Sequence, residues 1–391
     1  MRPNVLQLIP SFDQGGSERQ AVQLVRLLHE SGLARVHVAC LKGGGVLAGE
    51  VERLGLGPVP EFPLSSFYDR NFARRLLRFR AHLREREIDV VQTHDFYTNI
   101  FGMTGAALAR VPARLASKRE THGMRTRAQK MVERQAYRLA HKVVVNSEAV
   151  ANHLKAGGVA ASKIVTVYNG LDAARVAVAE GLSRDERLAA LKLPNDAPRR
   201  FVTIVANLEH DVKDHPTFLR AAKRVSESVA DAAFVLAGEG RLAPDLRRQA
   251  EELGIGRETF FTGRCTHVAE LLSISDVCVL SSKAEGFSNS ILEYMAAGRP
   301  VVVTDVGGAR EAVTEGETGY LVAAGDDETM AARIVSLLKE PERARAMGER
   351  GRQTIERKFS CEAQLKNTLD LYHDLLSRDR RRAAQRSLAD G

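Results

Sequence analysis

What most limits this chain is an alternation carried through twice: short β-branched apolar runs separated by longer amphipathic stretches. Residues 5–9, 36–40, 90–93 and 143–145 form one series, and residues 201–206 and 233–237 open a second. Runs this short and this apolar read as strands buried on both faces, and the stretches between them as the helices that cross over parallel strands. The expected fold class is therefore α/β, built from two doubly wound parallel sheets. At 391 residues the chain is too long for one ordinary core and suits two domains. Between the two series lies a polar segment rich in Ala and Arg, residues 173–200, ending in Pro194 and Pro198, and the hinge is expected just beyond Tyr168-Asn169-Gly170-Leu171-Asp172. The expected domains are 1–172 and 173–357. Residues 358–391 remain for a final helix over about 361–376, with Leu365, Leu369, Tyr372 and Leu376 on one face, and a basic tail expected to be disordered.

Charge is unevenly distributed. Residues 1–190 hold 28 Lys and Arg against 18 Asp and Glu, whereas residues 191–391 hold 29 against 31. The excess lies in Arg70, Arg74, Arg75, Arg78, Arg80, Arg84 and Arg86 and again over residues 114–142, a basic face suited to an anionic membrane or an acidic acceptor. Aromatic residues make up only 5% and no helix-turn-helix, zinc or RNA-recognition pattern occurs, so nucleic acid is not an expected partner. Cys40, Cys265, Cys278 and Cys361 show no C-x-x-C or metal-ligand spacing and read as free thiols of a reducing compartment. With no apolar run near the ~20 residues of a membrane span and no signal-peptide pattern at the start, the expected location is cytoplasmic, with peripheral attachment to the inner face of a membrane.

Chemistry concentrates in Glu285-Gly286-Phe287-Ser288-Asn289-Ser290-Ile291-Leu292-Glu293. The run before it reads as a buried strand, Ser288 and Asn289 are N-cap types, and Ile291, Leu292 and Met295 follow at helical spacing. Two carboxylates then flank a helix N-terminus, whose amides and dipole favour a diphosphate. Eight residues at ~1.5 Å each span at most roughly 12 Å if helical, comparable to the distance from a hexose to a ribose across a pyrophosphate. Taken singly, Glu293 is an ordinary first-turn acid and Glu285 a solvated loop acid. Asp13-Gln14-Gly15-Gly16-Ser17-Glu18 places paired glycines before another helix. The pattern is not G-x-G-x-x-G, which argues against a nicotinamide site. His94-Asp95 follows a strand end, where functional loops gather.

The Glu285–Glu293 segment resembles the Glu-x7-Glu motif of retaining glycosyltransferases of family 4. The resemblance continues through residues 300–308 with Glu311, through 316–322, and upstream through Gly238-Glu239-Gly240, Gly263-Arg264 and Tyr168-Asn169-Gly170-Leu171-Asp172. It is weakest over 42–88 and 173–200. The resemblance implies GT-B architecture: two Rossmann-like domains facing across a cleft, with the C-terminal helix returning to the first. It implies that Glu285 holds the donor sugar and Glu293 the ribose, and that Gly16, Gly238, Arg264, Asn289, Ser290, Ile291 and Lys213 form the donor site. Gly15, Asp95 and Arg119 fall to the acceptor side, and His94 joins Glu285 as a catalytic residue. The family's further histidine corresponds to either Arg119 or His122. Asn207 stands where the family has an Arg paired with the Lys213 position, so one phosphate-binding cation is missing.

The function implied is transfer of a sugar, with retention, from a nucleotide diphosphate donor, UDP- or GDP-linked, to a glycan, lipid-linked or small-molecule hydroxyl acceptor in polysaccharide, lipopolysaccharide or glycolipid assembly. No cofactor or metal is expected, since no acidic D-x-D cluster occurs. The alternatives are a sugar-nucleotide epimerase of related fold and a nucleotide-sugar-binding protein without turnover.

Overall fold

The computed structural model describes residues 2–13, 15–64, 70–121, 126–178 and 181–389. The chain divides into two compact units, Met1–Gly170 with Cys361–Gly391, and Leu171–Ser360. The first contains strands β1 (Asn4–Ile9), β2 (Arg35–Cys40), β3 (Val90–Thr93), β4 (Ala113–Lys118), β5 (Lys142–Val145) and β6 (Ile164–Thr166), ordered β2-β1-β3-β4-β5-β6. The second contains β7 (Arg200–Val205), β8 (Ala232–Ala237), β9 (Thr259–Gly263), β10 (Ser275–Leu280), β11 (Val301–Thr304) and β12 (Gly319–Val322), ordered β12-β11-β10-β7-β8-β9. All pairings between these strands are parallel. Each sheet reverses its direction of winding once, between β1 and β3 and between β7 and β10. The loops leaving those strands splay apart there, which is where open α/β sheets hold ligands.

The cores follow from the apolar runs. Val202, Ile204, Phe234, Leu236, Val277 and Val279 are fully buried in the second sheet under the helices His215–Ser228 and Asp327–Lys339. In the first unit the final helix is part of the core: Leu369, Leu371, Tyr372 and Leu375 pack with Val5, Ile9 and Leu115. Tyr372 also closes a buried polar chain. Gln7 Nε2 donates to Tyr372 Oη at 2.9 Å, and Tyr372 Oη donates to Gln92 Oε1 at 2.5 Å.

The structure adds one helix and corrects one expectation, that of a disordered tail. Residues 173–200, for which the sequence pattern predicts no element, form a 3-10 turn, Ala173–Arg175, and the helix Arg184–Ala190, begun by a Ser183–Glu186 capping box. Leu188, Leu191 and Leu193 are buried there against Phe201, Val235 and Leu271, an apolar set too sparse to register as a helical pattern within an Arg-rich stretch. The basic tail is helical as well, since the final helix runs from Cys361 to Ala389. Arg, Ala, Gln and Leu are good helix formers, and Lys366–Asp370 and Asp374–Arg378 pairs at i,i+4 support it. Among the described residues no helix is long and apolar enough to cross a membrane.

Candidate functional site

In the second unit the candidate residues gather around the reversal between β7 and β10. The loop after β10 carries Glu285, and the helix Asn289–Ala296 follows it with Ser288 at the N-cap. Ser288 has extended backbone but makes no side-chain cap hydrogen bond, so its hydroxyl does not take up the first-turn amides of Asn289, Ser290 and Ile291. Two hydroxyls set the helix against the end of β7: Ser290 Oγ donates to Val205 O at 2.8 Å, and Tyr294 Oη accepts from Val205 N at 2.6 Å. Ile291 and Tyr294 are buried, which fixes the roll of the helix.

Lys213 reaches the same place from the turn Asp211–Lys213, with its Nζ 2.6 Å from Glu285 Oε1. Ser282 Oγ donates to the same oxygen at 2.7 Å. The two loops are tied by Lys283 N to Val212 O and Ser281 Oγ to Lys213 O. Asp214 ends the turn in a left-handed conformation, φ 48°, a strained choice for a residue with a side chain. Behind Glu285, Gly307 at φ 55° is required: a Cβ there would lie 2.2 Å from Glu285 O. Gly308 N donates to Gly286 O at 2.8 Å, so the loop after β11 holds the backbone on which Glu285 stands.

Glu293 is only 4% exposed, and Arg175 Nη2 lies 3.3 Å from its Oε1. Gly238 permits close approach of the loops after β7 and β8, because a Cβ would meet Ala206 O at 1.9 Å. Asn207 and Arg264 are exposed at the ends of β7 and β9. Arg241 donates through Nε to Glu209 O and pairs with the Glu209 carboxylate.

In the first unit the candidates lie at the ends of β1, β3 and β4. Gly15 is the N-cap of the helix Gly16–Ser31, with ordinary extended backbone, and a Cβ there would overlap the Glu18 carboxylate. Burial, together with Asp95 and Asp13, raises the Glu18 carboxyl pKa, against a hydrogen bond from its own backbone. Asp95 caps the helix Phe96–Ala109 through a capping box with Thr98, a local structural duty in addition to any acceptor contact. Arg119 Nη1 donates to Asn169 Oδ1 at 2.7 Å, and burial lowers its pKa to about 10, still charged at neutral pH.

His94 is 1% exposed rather than free in a loop. Its Nε2 stands 2.7 Å from Gln7 Oε1. Because the Gln7 amide nitrogen donates to Tyr372, Gln7 Oε1 accepts, which places the ring proton on Nε2 and leaves Nδ1 as a buried acceptor without a partner among the described residues. Burial first, then Arg119, pushes His94 well below the usual histidine range, so the ring is neutral. His122 lies outside the described residues. Among the described residues no three His, Cys, Asp or Glu side chains come together as a metal-binding group.

Residues 14–175 match Glycosyltransferase Family 4, and residues 187–354 match Glycosyl transferases group 1. Alpha-maltose-1-phosphate synthase of Mycolicibacterium smegmatis is 30% identical over 311 residues, 72% of this chain and 78% of that protein. The chain belongs to glycosyltransferase family 4. The putative glycosyltransferase EpsD of Bacillus subtilis is 35% identical over 167 residues, 43% of this chain and 44% of that protein, so the matched part spans under half of that relative. An Escherichia coli UDP-Gal:alpha-D-GlcNAc-diphosphoundecaprenol alpha-1,3-galactosyltransferase is 25% identical, covering 78% of this chain and 80% of that protein. The fold is shared with Anabaena Alr3699/HepE, solved in complex with UDP, at TM-score 0.82 and 19% identity over 95% of this chain and 100% of that one. It is the GT-B fold.

Three side chains of this family 4 chain that sequence reasoning passed over stand at the candidate sites. Arg175 pairs with Glu293. Tyr294 is fully buried at the end of β7. Asn146, at the end of β5, donates to Arg119 O at 3.4 Å and keeps a buried Oδ1 without a partner among the described residues. Asn146 carried the same local signal as His94, a polar residue directly after a strand; nothing local marked Arg175 or Tyr294.

Proposed function

We propose that this chain is a retaining glycosyltransferase that moves a sugar from a nucleotide diphosphate donor to a hydroxyl acceptor, in polysaccharide or glycolipid assembly. The observation that carries this reading is the arrangement in one unit of Glu285, the Asn289–Ala296 helix N-terminus and Glu293, with Lys213 held 2.6 Å from Glu285. The diphosphate sits at the first-turn amides of that helix, and Lys213 neutralises it as charge accumulates on the leaving oxygen. Glu285 accepts from sugar hydroxyls and Glu293 from ribose hydroxyls. Asn207 gives the phosphates a neutral contact where the family has a cation.

The bond from the anomeric carbon to the diphosphate oxygen breaks, the bond to the acceptor oxygen forms on the same face, and the acceptor proton passes to the departing diphosphate. His94, neutral with Nδ1 as acceptor, orients a hydroxyl rather than removing its proton, because its depressed pKa makes it a weak base. Arg119, Asp95 and Gly15 belong to the acceptor side and Gly16 to the donor phosphates. Helix amides and Lys213 supply the charge stabilisation, with no metal in this scheme. UDP-sugars are the first donors to test, given the UDP bound by the Anabaena neighbour. A lipid-linked acceptor is the first acceptor class, given the Escherichia coli relative's name and the basic helices of the first unit.

A panel of UDP- and GDP-sugars scored by thermal stabilisation tests this reading, followed by nucleotide release with and without acceptor. A ligand at 100 times its dissociation constant adds ~2.7 kcal/mol of apparent stability. Stabilisation by one nucleotide sugar together with slow release of its nucleotide is expected. Interconversion of the sugar without nucleotide release would identify an epimerase, and tight binding without turnover under any acceptor a binding protein.

A further inference from the structure

Glu293 is almost completely buried, and its ion pair with Arg175 comes from the turn Ala173–Arg175, five residues beyond Gly170, where the first unit ends. The pair does not exhaust the guanidinium. Arg175 Nε is buried and has no hydrogen-bond partner among the described residues. An N–H donor without a partner therefore stands on the same guanidinium that holds the carboxylate. A hydroxyl group both donates and accepts, and a carboxylate beside a guanidinium N–H offers the complementary acceptor and donor. A phosphate would be repelled by Glu293, and a second cation by Arg175. The neutral polar partner that satisfies both is a sugar hydroxyl.

Resting on the assignment of Glu293 to the ribose, we propose that Arg175 is a specificity-determining residue that reads the nucleotide's ribose together with Glu293. Its Nη2 fixes the direction of the Glu293 carboxylate, and its Nε–H donates to the oxygen of the hydroxyl whose hydrogen Glu293 accepts. Recognition of this kind discriminates against an analogue that lacks the hydroxyl, because the buried Arg175 Nε–H then stays without a partner.

The test uses the full chain and calorimetry with UDP, GDP and ADP, and then the 2′-deoxy and 3′-deoxy forms of whichever binds wild type most tightly. Wild type is expected to prefer the ribonucleotide over one deoxy form by tenfold or more. Arg175→Gln, at a partly exposed position that keeps the protein folded by circular dichroism, is expected to reduce that preference below threefold. Adding Arg175→Gln to Glu293→Gln is expected to cause no further loss. An Arg175→Gln variant that retains the full preference overturns the inference and leaves Arg175 a counter-charge only. Equal losses from Arg175→Gln with and without Glu293→Gln overturn it too. If Glu293→Gln itself binds ribonucleotide as wild type does, or wild type binds none of the three nucleotides, the ribose assignment fails instead.

Discussion

Lys213 Nζ and Glu285 Oε1 stand 2.6 Å apart, each side chain less than a fifth exposed, although the two residues belong to different loops of the second sheet. The pair puts the cation proposed for the leaving diphosphate in direct contact with the acid proposed for the sugar, so a bound donor has to share or displace this ion pair. Glu285→Gln should leave nucleoside diphosphate affinity within threefold of wild type and lower turnover a hundredfold or more, about 2.7 kcal/mol of transition-state stabilisation. Lys213→Ala should instead weaken nucleoside diphosphate binding by about 1.5–3 kcal/mol, the range for a charged hydrogen bond. Calorimetry and initial rates separate the two, and the opposite pattern would exchange the roles.

Gly240 should be intolerant of any side chain. Its φ is 153°, and a Cβ would come within 2.2 Å of the Leu208 carbonyl carbon, where backbone cannot yield as a flexible side chain does. Gly240→Ala is expected to cost about 2 kcal/mol or more, a fall in Tm of roughly 4–8 °C for a unit of this size. Gly49→Ala, which meets nothing within 4 Å, is the control. An unchanged Tm for Gly240→Ala would mean that the loops after β7 and β8 are not packed as described.

His215 should make the second unit acid-sensitive. It is 1% exposed, both ring nitrogens lack partners among the described residues, and burial, aided by Lys213, lowers its pKa from 6.5 to about 4. The folded state keeps the ring neutral while the unfolded chain takes up a proton below pH 6.5. Stability is therefore fully present above pH 6.5 and falls as pH drops toward 4, by roughly 3 kcal/mol in all. Urea titrations at pH 7, 5.5 and 4.5 should show a shallower loss for His215→Leu than for wild type, and parallel curves would refute the burial argument.

Tyr372 should bind the final helix to the first sheet through its hydroxyl as well as its ring. Tyr372→Phe leaves Gln7 Nε2 and Gln92 Oε1 without their buried partner, at a cost of about 1–3 kcal/mol. Thermal unfolding reads this directly. Stability equal to wild type would show that the two glutamines find each other or water.

Membrane attachment, if the acceptor is lipid-linked, should come from the helices Arg70–Glu85 and Arg127–Leu139. Both pack against the helix Phe96–Ala109; they expose Arg74 and Arg78 with Leu77, and Arg134 and Arg138 with Met131, the two apolar residues being 58% and 62% exposed. Each Arg near an anionic surface contributes on the order of 1 kcal/mol, within a Debye length. Sedimentation with anionic vesicles at low salt, release at high salt and none with neutral vesicles is the expected pattern. Protein left in the supernatant with anionic vesicles would assign the charge to a solvated surface.

The two wound sheets were legible because strand and helix identity is local: a buried parallel strand announces itself in five consecutive residues such as those around Val277. The Glu285–Glu293 spacing was legible for the same reason, being set within one loop and one helix. Leu188, Leu191 and Leu193 became a core only because Phe201 and Leu271 lie under them, and no pattern within residues 173–200 encodes that. His94 shows the same limit: its neutral state comes from burial and Arg119, and its tautomer from Gln7 and, through it, Tyr372, 365 residues from Gln7 along the chain. Glu293 acquired its cation from Arg175 in the same way. Sequence alone determined the buried strands, the strongly periodic helices and where the acids sit along them, but not the helix Arg184–Ala190 or the helical tail. Tertiary structure decided which polar atoms are buried, which are paired and which remain open, because burial and hydrogen-bond partners are supplied by residues that only folding brings near.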